Sequence, residues 1–280
     1  MKIIIPTMGR ANIQRTAKNL LRADVPKLYK CYMIVPINES VQYNSVYGKD
    51  FKIITTNLYG INNIRQYIIE SCHTEDNKIL MMDDDLHFNY RPSINNVTLP
   101  VATNNQILEM IQWIENQLEN FAHVGISART QNFQLTNGMK KTNSFELQVV
   151  RPYRIYGFRK DIILGEKLDF HAGLKINTMD DFHMTLNLLE LGYPNIISCK
   201  WAQEQCSSNA YGGASSYRNL ELLKICALNL KEKHSQVVKI TEKITRKSWG
   251  GTEDNPVTRI DVIIQWKKAL GLRINESKLN

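Results

Sequence analysis

Five strand-length apolar runs, separated by stretches with helical periodicity, constrain the fold of this chain more than any other feature. They are KIII at 2–5, CYMIV at 31–35, FKIIT at 51–55, KILMM at 78–82 and HVGIS at 123–127. The intervening segments ANIQRTAKNLLRA (11–23) and INNIRQYIIESC (61–72) carry apolar residues at helical spacing. A third, TNNQILEMIQWIENQLEN (103–120), puts Ile107, Met110, Ile111, Ile114 and Leu118 on one stripe, with Thr103 and Gln106 as a capping box at its start. Strands alternating with helices predict an α/β fold, a mostly parallel central sheet flanked by helices. The first four runs are nearly continuous in hydrophobicity, as strands buried on both faces should be.

After residue 200 the pattern changes. QEQCSSNAYGGASSYRN (203–219) is rich in small residues, and SYRNLELLKICALNLKEKH (216–234) reads as a helix with Leu220, Leu223, Ile225, Leu228 and Leu230 on its apolar side. The expectation is one domain over residues 1–200 and a helical, lysine-rich C-terminal appendage over 201–280 that packs on it. At 280 residues and 43% hydrophobic content, the chain can fill a sizeable core. No window reaches the roughly 18 apolar residues of a spanning helix, and the apolar start is cut short by Pro6, so the chain reads as soluble and cytoplasmic, with no membrane partner. Five cysteines, odd in number and without a C-x-x-C pair, suggest neither a disulfide framework nor a zinc site, in keeping with a reducing compartment.

The run KILMM leads directly into Asp83, Asp84 and Asp85. Residues just after a strand of such a sheet lie at its carboxyl end, where ligand crevices form. Three adjacent carboxylates repel one another unless a divalent cation or a set of basic partners neutralises them. On an extended chain Asp83 and Asp85 share a face and Asp84 takes the other. Their hard oxygens suit Mg²⁺ or Mn²⁺, which bind one or two carboxylates and complete their shells with water and substrate phosphates. A solvated acidic turn is the plain alternative, and an EF-hand is excluded because the required glycine and distal glutamate are missing.

Phosphate contacts are sought at neighbouring strand ends. In IIIPTMGRANI, Pro6 and Thr7 leave the first strand, Gly9 permits a tight turn, and Arg10 stands before the next helix. In LYGINNIRQYI, Gly60, Asn62, Asn63 and Arg65 precede or open a helix, where they also make ordinary caps. Neither a dinucleotide fingerprint nor a P-loop is present, which leaves phosphates to metal and arginine.

Taken in order, PT-x-GR after the first strand, GINNIR on a helix, the apolar strand running into D-x-D, and INTMDDFHMTLNLLELGYPN (176–195) resemble the glycosyltransferase-A fold over about residues 1–200. The resemblance implies a nucleotide-sugar-binding catalytic domain. Pro6, Thr7 and Arg10 would line the base and ribose pocket, with Asn63 or Arg65 nearby. Asp83 would contact the ribose or a metal-bound water, Asp84 would stand in the same nucleotide site, and Asp85 would ligate Mn²⁺ or Mg²⁺. Asp180 or Asp181 would be the general base, although TMDD also reads as a helix cap. A loop carrying Arg218 (within YGGASSYRN, 211–219), or one carrying Arg246, Lys247 and Trp249, would close over the diphosphate. His87 and His183 read as packing or positioning groups.

The donor implied is a UDP-sugar, UDP-glucose or a related UDP-hexose. For the acceptor, MMDDDLHF, MDDFHMTLNLLELGY and the late GG-x-SSYR look similar to bacteriophage DNA-modifying glycosyltransferases associated with TET/JBP-type base hydroxylases, which act on hydroxymethylcytosine in DNA. A net charge of +8 is compatible with a polyanionic acceptor, and Lys140, Lys141, Arg151, Arg154, Arg159 and Lys160 form one basic cluster, with a second in the tail. Trp249, Tyr211 or Tyr217 would stack on a flipped base. Two alternatives remain: transfer to a surface glycan or protein, and a non-catalytic nucleic-acid-binding module on the same fold.

Overall fold

The computed structural model describes residues 1–71, 76–96, 98–205, 216–246 and 249–276. In chain order the elements are β1 (Lys2–Pro6), α1 (Arg15–Arg22), α2 (Val25–Leu28), β2 (Lys30–Pro36), α3 (Ser40–Tyr47), β3 (Lys52–Thr56), α4 (Ile61–Ser71), β4 (Lys78–Met82), β5 (Leu86–Tyr90), α5 (Asn104–Gln117) and β6 (His123–Ala128). There follow α6 (Asn132–Thr142), β7 (Glu146–Gln148), β8 (Ile155–Arg159), α7 (Lys160–Gly165), α8 (Asp180–Glu190), β9 (Asn195–Gln205), α9 (Leu220–Lys233), β10 (Val238–Thr245), β11 (Val257–Ile264) and α10 (Trp266–Glu276).

All five apolar runs are strands of one nine-stranded sheet in the order β3-β2-β1-β4-β8-β6-β9-β5, with β7 on β9. The strands β3, β2, β1, β4, β6 and β9 run one way, and β8, β5 and β7 run the other. The sheet is therefore mostly parallel, as α/β alternation requires, with reversals that matter for the site. Met82 pairs with Ile155, so the start of β8 meets the carboxyl end of β4. Residues just before β8 thus reach the edge where β1 to β4 end.

Alternation along the strands separates two apolar layers. Ile3, Ile5, Leu80 and Met82 enter one core with Ile107, Met110, Ile111 and Ile114 of α5, while Ile4, Ile34, Ile79 and Met81 enter another with Ile68, Ile69 and Phe158. Burial of each such side chain contributes at most about 2 kcal/mol. The α5 stripe is buried throughout, and its capping box is formed in both directions by Thr103 and Gln106. Of the five apolar runs only β3 is half-covered, because it lies at a sheet edge.

The tail differs from its expected form. Besides α9 and α10 it contains the antiparallel hairpin β10–β11, a separate two-stranded sheet. VKITEKIT and VTRIDVII are β-branched and alternating, a strand signal that the surrounding lysines obscured. On α9 the buried residues are Leu223, Cys226, Ala227 and Leu230, at i, i+3, i+4 and i+7, whereas Ile225 and Leu228 are exposed. The apolar face was therefore misplaced by treating every large aliphatic residue as part of one stripe. These tail residues share a core with Met179, Leu186 and Leu189 around α8. Cys31, Cys199 and Cys226 are free and buried, while Cys72 and Cys206 lie outside the described residues.

Candidate functional site

The site grows from the three-residue link between β4 and β5. Its backbone is pinned by the first turn of α1, whose Arg15 and Thr16 amides donate to the Asp84 carbonyl at 3.1 and 3.2 Å. The Thr16 hydroxyl donates to the Asp83 carbonyl at 2.5 Å and accepts from the Leu86 amide at 3.0 Å. From the other side the Asp83 amide donates to the Arg154 carbonyl at 2.9 Å. Arg154 holds a left-handed φ of 59°, a strained conformation for a residue with a side chain, and it does so where the chain enters β8.

Basic partners, rather than a metal alone, answer the three adjacent charges. Asp84 is buried, accepts from the Thr7 hydroxyl at 2.6 Å, and pairs with Arg10 at 2.5 Å. The same guanidinium reaches Asp85 at 3.0 Å, while Asp83 meets Arg65 at 3.1 Å. Burial pushes the Asp84 carboxyl up to about 6, against the opposing pull of Arg10 and Thr7. Arg10 thus spans Asp84 and Asp85, which simple alternation had placed on opposite faces.

A second acidic pair opens α8. Asp180 and Asp181 sit in its first turn, where the helix dipole favours carboxylates, yet both are nearly removed from solvent. Arg65, itself buried on α4, donates to Asp180 at 2.6 Å, so one guanidinium holds Asp83 and Asp180 together. Its face rests on the Tyr156 ring at 4.5 Å. Asp181 is held by Arg151, which donates through Nε at 3.1 Å and also through its terminal nitrogen. It further accepts from the Tyr156 hydroxyl at 3.4 Å and from the Phe182 amide at 2.9 Å. Burial raises both carboxyls. In Asp180 burial prevails over Arg65 and the pKa goes up; in Asp181 the Arg151 charge and hydrogen bonds prevail and it goes down.

These groups line one cavity of about 320 Å³ at the carboxyl edge of the parallel strands. Its polar wall holds Arg10, Arg65, Arg151, Arg154 and Arg218 with Asp83, Asp84, Asp85, Asp180 and Asp181. An apolar wall of Pro6, Ile34, Val35, Pro36, Leu58 and Ile64 faces it, and Tyr59, Tyr217 and Trp249 also contribute. Tyr59 and Tyr217 pack with ring centroids 5.1 Å apart, and the Ile61 amide donates to the Tyr217 hydroxyl at 3.0 Å. Between them, Gly60 has φ 93°, and a Cβ there would stand 2.7 Å from Ile176.

Most residues singled out from the sequence meet here, with exceptions: Arg246 does not line the cavity and stands 3.8 Å from Glu253. Asn63 is not among the lining residues; it donates to the Tyr59 and Lys175 carbonyls at 2.6 and 3.0 Å and contacts His171 at 2.9 Å, supporting the loop behind the cavity. Tyr211 and Lys247 lie outside the described residues. His87 contacts Arg15 and His183 contacts His234, and neither is among the lining residues. Sequence reasoning did not identify Arg151 and Arg154 as site residues, having grouped them into a basic patch. It missed Tyr156 altogether. Their signal was position, just before and within a strand that only the pairing shows to be reversed.

Comparisons with known proteins place the chain in a family. The TET-Associated Glycosyltransferase family matches residues 1–196. The beta-glucosyl-HMC-alpha-glucosyl-transferase of Enterobacteria phage T6 is 27% identical over 258 residues, covering 87% of this chain and 86% of its own. Its namesake from Enterobacteria phage T2 is 28% identical over 208 residues, 69% of each chain. Among solved structures, GalNAc-T7 with UDP, GalNAc and Mn²⁺ superposes with a TM-score of 0.52 at 10% identity, over 82% of this chain and 48% of that one, a likeness of fold.

Proposed function

The chain belongs to the TET-associated glycosyltransferase family, and from that premise we propose that its cavity binds a UDP-sugar and transfers the sugar to hydroxymethylcytosine in DNA. The observation that carries this is the pair of acidic clusters, Asp83–Asp85 and Asp180–Asp181, brought onto one cavity and linked by Arg65. The apolar wall from Pro6 to Leu58 accepts the base of the donor, with Thr7 and Arg10 beside it. Arg10, Arg154 and Arg218 face the diphosphate, whose leaving charge they offset.

Asp83 and Asp85 both line the cavity, each with an arginine on one carboxylate oxygen, and would hold Mg²⁺ or Mn²⁺ sharing its shell with water and substrate oxygens. When bound there, such an ion supplies Lewis-acid stabilisation of the departing diphosphate. The chain's own contribution is proton transfer and orientation. Asp180 is the better base: burial raises its pKa and Arg65 is its charged partner, whereas Asp181 is committed to Arg151, Tyr156 and Phe182. Asp180 takes the hydroxyl proton as the acceptor oxygen bonds to the anomeric carbon and the bond from that carbon to the diphosphate oxygen breaks. Asp181 orients the start of α8.

The relatives' name describes an acceptor that already bears a glucose, so the accepting hydroxyl here is either that of hydroxymethylcytosine or one on a sugar attached to it. The enzyme would act in the cytoplasm of an infected host cell, and no described helix is long and apolar enough to cross a membrane. The test is mass spectrometry of nucleosides from hydroxymethylcytosine DNA, bare and glucosylated, after incubation with Mn²⁺ and pooled nucleotide sugars. One hexose added by the wild type and not by Asp85→Asn is expected, and it names donor and acceptor together. Metal-dependent release of nucleotide diphosphate with neither DNA modified would move the acceptor to a glycan or protein.

A further inference from the structure

The hairpin β10–β11 has two unlike halves. At its base Val238 and Val262 are buried against α8, α9 and α10, in the core shared with Leu186 and Leu189. Towards the turn Glu242, Lys243, Ile244 and Thr258 are exposed, and so is the connection from Thr252 to Pro256. Ile244 is 63% exposed and Ile263 54%. The body of the protein therefore covers the base of the ribbon, and Trp249 in the connection packs against the same core, while the residues between them stay exposed.

Its outward row is cationic. The register pairs Lys239 with Ile263, Thr241 with Asp261 and Lys243 with Arg259, all on one face by strand alternation. Two like charges directly opposite are unfavourable in a sheet. Here Asp261 bridges them, 2.7 Å from Lys243 and 3.1 Å from Arg259. The acidic residues Glu253 and Asp254 stand apart on the turn, with Glu253 3.8 Å from Arg246. Residues 201–280 hold thirteen Lys and Arg against eight Asp and Glu, most of the net charge of the chain.

The row is joined to the cavity. Trp249, in the connection between the two strands, lines it, and the Arg259 guanidinium lies 5.9 Å from the Trp249 ring. We infer that the outward face of β10–β11 is the surface that holds the acceptor duplex, with Lys239, Lys243 and Arg259 on phosphates and Trp249 at the point where the target nucleotide enters the cavity. A two-stranded ribbon fits a DNA groove, phosphates reward a cationic row, and exposed Ile263, opposite Lys239 on the same face, offers an apolar contact to sugars or base edges. This inference rests on the reading of DNA as acceptor.

The test compares the full-length wild type with Lys239→Glu/Lys243→Glu and with the milder Lys239→Gln/Lys243→Gln, using anisotropy of a labelled hydroxymethylcytosine duplex from about 50 to 200 mM salt. Donor hydrolysis without DNA and the melting temperature are followed in parallel. The expected result is binding about tenfold to a hundredfold weaker, a salt slope shallower by about 2 for the Gln pair, and unchanged donor hydrolysis. Wild-type binding and slope retained in both folded variants would overturn the hairpin surface while leaving the DNA reading intact. A wild type that neither binds nor modifies DNA would remove the DNA reading and this inference with it. Self-association in sedimentation that Ile263→Asp abolishes, with DNA affinity untouched, would assign the face to a second copy and also overturn it.

Discussion

The two acidic clusters of the cavity are built in opposite ways. Asp83–Asp85 occupy a link between strands, pinned through backbone by α1, and their cations are Arg10, just past β1, and Arg65 of α4. Asp180 and Asp181 occupy a helix start and take as cations the same Arg65 and Arg151, ahead of β8. In the first cluster one guanidinium, Arg10, spans two carboxylates and Arg65 takes the third. In the second, Asp181 is held by Arg151, Tyr156 and Phe182, and Asp180 by Arg65. The difference teaches that a pair of adjacent aspartates need not share a role: the counter-ion each receives decides it.

The largest effect expected is at Asp180. Asp180→Asn should lower sugar transfer by a factor on the order of 10² to 10⁴ with donor affinity nearly kept, the usual cost of losing a general base. Asp181→Asn should show itself mainly as lost stability. Equal losses of kcat in two equally stable variants would break the comparison. Arg151→Met should follow, destabilising the fold by about 3–5 kcal/mol because it strands the buried Asp181 charge. Adding Asp181→Asn to that variant should recover part of the loss in a thermal melt, and a strictly additive double variant would sink the pairing.

A third expectation uses the buried surroundings of the second cluster. His123 lies against Phe158, ring centroids 4.3 Å apart, with neither ring nitrogen hydrogen-bonded, and burial pushes its pKa down to about 3. Burial likewise lowers His183 to about 4. Both are neutral in the folded state where the unfolded chain binds protons, so stability is complete above about pH 6.5 and falls as pH drops towards 4. Asp84 works the other way, since its raised pKa makes the folded state bind more protons between about 4 and 6. Burial raises Asp83 and Asp180 in the same sense as Asp84, so the histidine contribution to acid lability is read from a histidine variant against the wild type. His123→Phe should stabilise by about 2 kcal/mol at pH 5 relative to its effect at pH 8, read from denaturant curves. No pH dependence of that difference would refute the assignment. Smallest of all, Thr7→Val should cost about 1 kcal/mol by removing the bond to Asp84, with a modest rise in donor KM, while leaving Asp180 chemistry untouched.

Much of this site was legible in the sequence, because its first half is local. Pro6, Thr7, Arg10 and Asp83–Asp85 each follow directly from a strand end, and strand ends are visible as the close of an apolar run. The stripe on α5 was legible for the same reason, one periodicity over one helix. Asn63 was not, since a helix start says where a side chain begins and not which wall it faces. Nor was the hairpin: alternation in VKITEKIT competes with a helical reading of the same lysine-rich stretch until its partner strand is known.

By itself, then, the sequence determined the α/β layering, the carboxyl-edge position of the aspartates and their residue types, since these depend on periodicity and on neighbours along the chain. Tertiary structure decided which arginine meets which aspartate. That choice rests on β8 running against β4, which carries Arg151, Arg154 and Tyr156 to the edge where Asp83 ends its strand, and on α8 aiming its first turn at the same place. Ion pairing acts over a few ångströms, and residues more than a hundred positions apart come within that reach only through strand order.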